Sequence, residues 1–213
     1  MVPILDFRRF SGCANMEGVV RQTSVDYDAL LVTAGTSPQP MVVGALLLNA
    51  LADRYEGEHG SAGLVQMVPD GITYLFDLAQ SVGLDRADRT VAAWALTPPT
   101  VARRDTTYQR RFPMYAPDAG APAVDRGHRI LHVSGGQHGP NIYRQDAALN
   151  RGWSAEGKRY RALEREAAAT PGTFFFGHLI YVDDTDYPVE VEIGLLRPGR
   201  LHVERFSNRP ASV

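Results

Sequence analysis

The sequence predicts an α+β protein with a mixed helical N-terminal region and an antiparallel sheet late in the chain. Residues 41–54 are apolar over a broad face, which is typical of a mostly buried helix. Residues 155–169 hold strong helix formers, and Pro171 and Gly172 end that helix. Three later segments, each bounded by turn residues, predict consecutive strands: 173–182, 189–196 and 201–206.

The first hundred residues carry no recognised catalytic motif. Two short apolar segments, 73–80 and 89–96, each fit either a helix or a strand. Pro98 and Pro99 then interrupt regular structure. We therefore divide the chain into residues 1–100, of unknown role, and residues 101–213, a second domain.

The second domain begins with a predicted strand and loop ahead of its helix. Residues 126–133 favour a strand, and residues 135–140 favour a loop. Turns at 183–186 and 197–199 separate the late strands. The predicted order is therefore strand, loop, helix and antiparallel meander.

Positive charge is concentrated in the middle of the chain. The net charge is −2 overall, but residues 101–165 hold twelve Lys and Arg against six Asp and Glu. Arginine dominates, because Lys158 is the single lysine among 22 basic residues. This distribution is suited to a polyanionic partner such as nucleic acid, although a solvated helix face would also explain any single arginine.

Composition limits the class of protein further. Cys13 is the one cysteine, so no internal disulfide can form. No stretch approaches the roughly eighteen consecutive apolar residues of a membrane span. The start of the chain lacks the basic and apolar regions of a Sec signal peptide. We expect a protein without a membrane partner, either cytoplasmic or secreted by a non-Sec route.

Three short motifs follow one another in the second domain. They are Asp125-Arg126-Gly127-His128, the N-x-x-x-Q segment from Asn141 to Gln145, and Leu149-Asn150-Arg151-Gly152-Trp153. This ordered set resembles the DNA/RNA non-specific endonucleases, the ββα-metal nucleases with a D-R-G-H signature, and is most similar to their toxin-type branch. The resemblance runs from about residue 125 to residue 206.

The resemblance implies a C-terminal ββα-metal nuclease core with antiparallel strands. It implies a Mg²⁺-dependent endonuclease, with Mn²⁺ as a second candidate ion, that hydrolyses DNA and, as a further candidate substrate, RNA. A toxin effector role and an immunity or inhibitor protein as partner are also implied. The alternative is a catalytically lapsed domain that binds nucleic acid or a partner protein.

His128 and Asn150 are the two central candidates. An unperturbed histidine has a pKa near 6.5, which suits a general base at neutral pH, and the resemblance implies that His128 takes a proton from water. The resemblance implies that Asn150 is the metal ligand at the start of a helix. A single amide oxygen leaves most of the coordination shell to water and phosphate, which suits Mg²⁺. Alternatively, Asn150 is a helix N-cap.

Glu164 is the candidate acid that orients water molecules near the metal, and Glu156 competes with it. The interval from Asn150 to Glu164 is longer than the family's usual spacing, which keeps Glu156 open. The candidate phosphate contacts are arginines, because a guanidinium matches two phosphate oxygens: Arg126, Arg151, and one of Arg110 and Arg111. Asp125 is expected to orient a neighbour, and Asn141 and Gln145 to support the site.

Two other groups of residues suggest metal sites. His128, His132 and His138 suggest zinc, but the segment is predicted to be extended and no second cysteine completes a tetrahedral set. Asp183, Asp184 and Asp186 suggest calcium, but the other loop ligands are lacking. A polar turn is the better interpretation of these aspartates.

Overall fold

The computed structural model describes residues 25–60, 63–99, 124–128, 130 and 141–209. Two helices come first, α1 (Tyr27–Ala34) and α2 (Pro40–His59). Asp26 caps α1 by accepting a hydrogen bond from the Ala29 amide at 2.9 Å. Proline in the first turn begins α2, where its missing N–H costs nothing. The predicted helix over 41–54 is confirmed and continues to His59.

Six antiparallel strands form one sheet within the described residues, and they lie across it in chain order. The first three are β1 (Leu64–Met67), β2 (Thr73–Asp77) and β3 (Arg89–Leu96). Both segments that fitted either a helix or a strand are therefore strands. Short 3₁₀ turns at Pro69–Gly71 and Gln80–Val82 connect them.

The late helix and meander agree with the prediction. Ser154 caps the helix Ala155–Ala169, which we call α4, by accepting from the Gly157 amide at 2.9 Å. The meander strands are β6 (Phe174–Ile180), β7 (Glu190–Arg197) and β8 (Arg200–Ser207). Every residue of β6 is buried, as expected for a strand covered on both faces.

Helices cover both faces of the sheet. On one face, α2 approaches so closely that a Cβ on Gly44 would lie 2.4 Å from Trp94 of β3. Tyr27 of α1 contacts Phe176 of β6 on that same face, with ring centroids 5.8 Å apart. On the other face, Tyr160 of α4 meets Phe206 of β8 edge to face at 5.4 Å. The register and the alternation of side chains along strands place Phe176 and Phe206 on opposite faces.

A separate hairpin and a short helix precede α4. The hairpin pairs β4 (Val124–His128) with β5 (Ile142–Asp146), and α3 (Ala147–Arg151) follows directly. The predicted strand over 126–133 is therefore shifted: it begins two residues earlier and Ile130 is outside it, while 129 and 131–133 lie outside the described residues. The predicted loop over 135–140 also lies outside them.

The N-x-x-x-Q segment leads into strand β5, which the sequence did not predict and which includes Gln145 but not Asn141. The order β4, β5, α3 and α4 is a strand–strand–helix arrangement. The sheet takes strands from both sides of residue 100, since β3 pairs with β6. The division of the chain at residue 100 thus marks a difference in predicted role and does not coincide with a break in the sheet. Within the described residues, no helix is long and apolar enough to cross a membrane.

Candidate functional site

Asp125 joins the β4–β5 hairpin to the short helix α3. One carboxylate oxygen accepts from the Arg151 guanidinium at 2.6 Å. The other oxygen accepts from Arg151 Nε and from Asn150 Nδ2, each at 2.8 Å. Because both oxygens are already engaged, Asp125 acts here as a positioning group for its neighbours.

The charge of Asp125 is maintained by these contacts. Burial of the half-buried carboxyl would by itself raise its pKa, but the hydrogen bonds from Arg151 and Asn150 outweigh burial, so the pKa is lowered. The same contact raises the pKa of the Arg151 guanidinium. Asp125 is therefore ionised at neutral pH, and it can hold Asn150 and Arg151 together.

Asn150 lies near the end of α3, and it caps neither helix. The N-cap of α3 is Asp146, which accepts from the Leu149 amide at 2.8 Å, and the N-cap of α4 is Ser154. The N-cap interpretation of Asn150, and its expected place at a helix start, are therefore wrong. Its amide nitrogen donates to Asp125, so its amide oxygen is the atom suited to bind a cation.

The angle between α3 and α4 depends on two glycines. Gly152 has φ 72°, a left-handed conformation that ends α3 and favours glycine. A Cβ on Gly157 would lie 2.4 Å from the Ala148 carbonyl oxygen and 2.9 Å from the Gly152 Cα. Glycine at position 157 therefore allows α4 to pack directly against the helix that carries Asn150.

Asn141 stabilises the backbone beyond β4. Its fully buried amide accepts from the Ile130 amide and donates to the Ile130 carbonyl, both at 2.7 Å. This pair of bonds continues the β4–β5 pairing past His128. Asn141 directly precedes β5, and its contacts support the hairpin.

Gln145 packs inside the hairpin against Gly127. A Cβ on Gly127 would lie 2.1 Å from the Gln145 side-chain oxygen, so a larger residue cannot replace this glycine without a shift. The lack of a side chain at Gly127 leaves room for the Gln145 side chain of the neighbouring strand. The same interior holds Tyr143 and Tyr160, whose hydroxyls are 3.5 Å apart.

His128 and Arg126 lie further along β4. His128 is the last residue of the strand, is buried, and pairs with Ile142, while Arg126 pairs with Arg144. Since a strand rises about 3.4 Å per residue, the His128 Cα lies roughly 10 Å beyond that of Asp125. Asp125 makes the contact between β4 and α3 that is described above. His128 lies three residues further along the same strand.

Burial distinguishes the two candidate acids of α4. Glu164 is 8% exposed, and its carboxylate lies 3.3 Å from the Arg161 guanidinium. It follows Gly157 and Tyr160 at helical spacing, on the face turned toward α3 and the hairpin. Glu156 is more exposed, with Arg159 at 3.9 Å. Glu164 is therefore the acid held inside the ββα arrangement.

Asn208, which the sequence did not single out, attaches the hairpin to the sheet. It is fully buried at the end of β8 and accepts from the Asp146 amide at 3.0 Å. It also donates to the carbonyl of Arg144 at 2.9 Å and to that of Pro188 at 2.8 Å. Nothing in the local sequence indicates this role, because the three partners are distant along the chain.

Arg144 and the polar turn after β6 lie beside this attachment. Arg144 approaches Asp186 at 3.4 Å and stacks over the Tyr187 ring at 4.7 Å. Asp183 accepts from the Thr185 amide at 3.0 Å and from Arg209 at 2.8 Å. These aspartates thus have the contacts of a hydrogen-bonded turn.

The donor set around Asn150 suits a hard cation. The Asn150 amide oxygen belongs to the class of ligand that Mg²⁺ prefers, while both oxygens of Asp125 are engaged by Asn150 and Arg151. Among the residues that the structure describes, no group of three His, Cys, Asp or Glu side chains forms a metal cluster. His132 and His138 of the zinc alternative, and the candidate phosphate contacts Arg110 and Arg111, lie outside the described residues.

Comparison with solved structures gives distant similarities, of which one is described below. No protein-family model matches the chain. No curated protein matches it either. A solved structure described as an extracellular nuclease is 10% identical in sequence, covers 70% of this chain and 86% of its own, and superposes with a TM-score of 0.39.

Proposed function

We propose that this protein is a metal-dependent endonuclease that hydrolyses phosphodiester bonds of DNA, with RNA as a second substrate to test. One observation carries the proposal. The aspartate of the D-R-G-H motif, on β4, accepts a hydrogen bond from the side-chain amide of Asn150 on α3, 25 residues later in the chain. The motifs that suggested nuclease chemistry in the sequence are therefore physically connected through Asp125.

Asn150 would hold the cation in this proposal. Its amide nitrogen is bound to Asp125, and this fixes the orientation of the amide so that the oxygen is available as a ligand. Mg²⁺, or Mn²⁺ in its place, would neutralise the charge that develops on the phosphate oxygens. Asp125 contributes by orienting Asn150 and by adding negative charge close to the ligand.

His128 is the proposed general base, which takes a proton from the attacking water. An imidazole is the side chain most often used as a general base at neutral pH. Asp125 and His128 are three residues apart, so on a regular strand their side chains point to opposite faces. The end of β4 must therefore turn the imidazole toward α3 for His128 to act beside Asn150. This is the geometric requirement on which the catalytic proposal depends.

Glu164 and the arginines have supporting roles. The buried Glu164 would orient water on the α3 side of α4. Arg126 would contact the phosphate, and Arg151 would add positive charge beside Asn150 while Asp125 holds it in place. The toxin role and an inhibitor partner remain predictions from the resemblance.

A plasmid-nicking assay tests the function. Purified protein should convert supercoiled DNA to nicked and linear forms with Mg²⁺ or Mn²⁺, and EDTA should abolish the conversion. Without EDTA-sensitive cleavage under either ion, the catalytically lapsed binding domain becomes the better interpretation. Replacing plasmid by a structured RNA shows whether RNA is also cut.

Substitution of His128 tests the catalytic assignment. His128→Ala should lower the cleavage rate by roughly 10²- to 10⁴-fold, the range expected for a lost general base, with DNA affinity retained. His202→Ala is the matched control, because His202 lies on β8 and contacts Glu204 at 3.1 Å. Equal loss of binding and cleavage in His128→Ala would assign His128 a structural role.

A second pair of variants assigns the acid. Glu164→Gln should reduce cleavage, whereas Glu156→Gln should leave it near the wild-type rate, because Glu164 is the buried carboxylate of the pair. Circular dichroism of both variants controls for folding. The reverse order of effects would transfer the role to Glu156.

A further inference from the structure

We propose that Trp153 is a stacking platform for an unpaired nucleobase, so that the site prefers single-stranded nucleic acid. This inference rests on the proposed nuclease function, and it specifies the substrate class of the same site. Aromatic side chains bind single strands because every base presents a flat face for stacking, whereas the bases of a duplex are already stacked.

The two tryptophans of the chain have opposite environments. Trp94 is 5% exposed and packs in the core between Gly44 and Phe174. Trp153 is 65% exposed. An exposed aliphatic residue needs no explanation, but a tryptophan presents a much larger flat surface to solvent, and this surface lies three residues from the proposed metal ligand.

The backbone of Trp153 is anchored, although its side chain is exposed. Its backbone amide donates to the Ala148 carbonyl at 3.0 Å, so the residue is fixed to the short helix that carries Asn150. The left-handed conformation of Gly152 turns the chain between Asn150 and Trp153. The indole is thus presented from an ordered position, which lowers the entropic cost of stacking on a ligand.

Arg151 occupies the neighbourhood of the indole ring and is itself fixed. Its guanidinium lies 4.8 Å from the Trp153 ring centroid, in a cation–π contact. Two hydrogen bonds from Arg151 to Asp125 hold that guanidinium in place. Asp125 therefore positions three groups together: the amide of Asn150, the charge of Arg151 and, through Arg151, the indole.

This combination matches the chemistry of a single strand. The aromatic surface would stack on a base, and the adjacent arginine would lie near the sugar–phosphate backbone that links this base to its neighbour. A duplex offers the phosphates but not an accessible base face. Discrimination between the two forms should therefore depend on Trp153 and not on the arginines alone.

The binding test uses single-stranded oligothymidylate and a duplex of equal length, both in EDTA so that neither is cleaved. Fluorescence anisotropy of labelled oligonucleotide should show about 5- to 100-fold weaker binding of the single strand to Trp153→Ala, since base–aromatic stacking has this size. Trp153→Phe should retain most of the affinity. Met41→Ala, which removes an exposed side chain on α2, is the control and should bind as wild type.

Intrinsic fluorescence gives a second readout. The single strand should quench the tryptophan emission of the wild type but not that of Trp153→Ala, because the remaining Trp94 is buried. Equal losses for single strand and duplex, or no loss for either, would overturn the inference. Binding that depends on Trp153 without any cleavage would support stacking while removing the proposed endonuclease activity, so the two failures are distinguishable.

Discussion

Glu192 and Asp125 both accept hydrogen bonds that lower the pKa of the carboxyl group, but the two residues lie in very different places. Glu192 of β7 lies between the sheet and α1, 5% exposed, and accepts from Tyr27 at 2.6 Å with His178 at 2.8 Å. Asp125 is half-buried and contacts Asn150 and Arg151 near the surface. The two carboxylates therefore differ in whether the side chains that contact them are accessible to solvent.

The side chains that contact Glu192 and Asp125 differ in their exposure to solvent. The Glu192 cluster joins α1 to the sheet with side chains that are themselves enclosed, and burial together with the charge of Glu192 raises the pKa of Tyr27. The Asp125 cluster presents Arg151 and Trp153 to solvent. We therefore interpret the first cluster as structural and the second as part of the candidate site, and the following variants test that comparison.

The largest effect on stability is expected at Glu192. Glu192→Gln should lower the free energy of unfolding by about 3–5 kcal/mol, because it breaks a buried, charge-assisted contact. Tyr27→Phe should cost less, about 1.5–3 kcal/mol, since it removes one hydrogen bond to the carboxylate. Denaturant unfolding of both variants measures this. A stable Glu192→Gln protein with lost oligonucleotide binding would reverse the two assignments.

Acid should remove the stability that the ionised Glu192 contributes through its buried contacts. Burial alone would raise the pKa of Glu192, but the hydrogen bond and charge of His178 and the Tyr27 hydroxyl lower it from 4.5 to about 2. The folded pKa is depressed, so the contribution is complete above about pH 4.5 and is lost as the pH falls toward 2. Because one pKa unit corresponds to about 1.4 kcal/mol, this contribution to the free energy of unfolding amounts to about 3 kcal/mol. Unfolding measured from pH 6 to pH 2 should show a smaller acid dependence in Glu192→Gln than in the wild type.

Asp125→Asn should affect the site more than the fold. The change removes the charge that holds Asn150 and Arg151, and loss of such a supporting partner typically costs 10- to 100-fold in metal affinity or activity. Metal titration and plasmid nicking measure the effect, with thermal unfolding as the control. Full activity of a folded Asp125→Asn protein would contradict the positioning role.

Gly157→Ala tests whether the close packing of α4 against α3 matters for the candidate site. The added methyl would meet the Ala148 carbonyl oxygen, so α3 and α4 must separate. We expect a loss of about 1–3 kcal/mol in stability and a further loss of cleavage, because Asn150 moves with α3. Gly199→Ala, in the turn between β7 and β8, tests whether a glycine with positive φ elsewhere affects stability without affecting cleavage.

The smallest effect is expected for an exposed ion pair. Arg197 contacts Glu166 at 2.6 Å, and this contact lowers the pKa of Glu166. Surface pairs typically contribute about 0–1 kcal/mol. Glu166→Gln should therefore change the unfolding free energy little at moderate salt. A loss comparable to that of Glu192→Gln would mean that burial is not what separates strong from weak carboxylate contacts in this protein.

Local patterns were sufficient to predict the last four elements of the fold. Helix α4 and strands β6, β7 and β8 agree with the prediction because periodicity, helix formers and turn residues are all local signals. Strand β5 was not predicted, since it is only five residues long and holds two charged side chains and a glutamine. The choice between helix and strand for β2 and β3 depended on pairing partners elsewhere in the chain.

The candidate site was predicted as a set of residue types and not as an arrangement. The motifs identified Asp125, His128 and Asn150, but the N-cap interpretation of Asn150 was wrong because Asp146 and Ser154 take both caps. Asn208 could not be identified, since its partners are distant in sequence. Trp153 was part of a motif, but its exposure was not visible in the sequence.

By itself, the sequence determined the α+β class, the late helix and meander, and the residue types available for phosphodiester chemistry. Those features follow from interactions between residues a few positions apart. Tertiary structure alone decided that β3 pairs with β6 and that Asp125 holds Asn150 and Arg151. These contacts join residues from 25 to about 80 positions apart, and their proximity depends on how whole elements pack rather than on local preference.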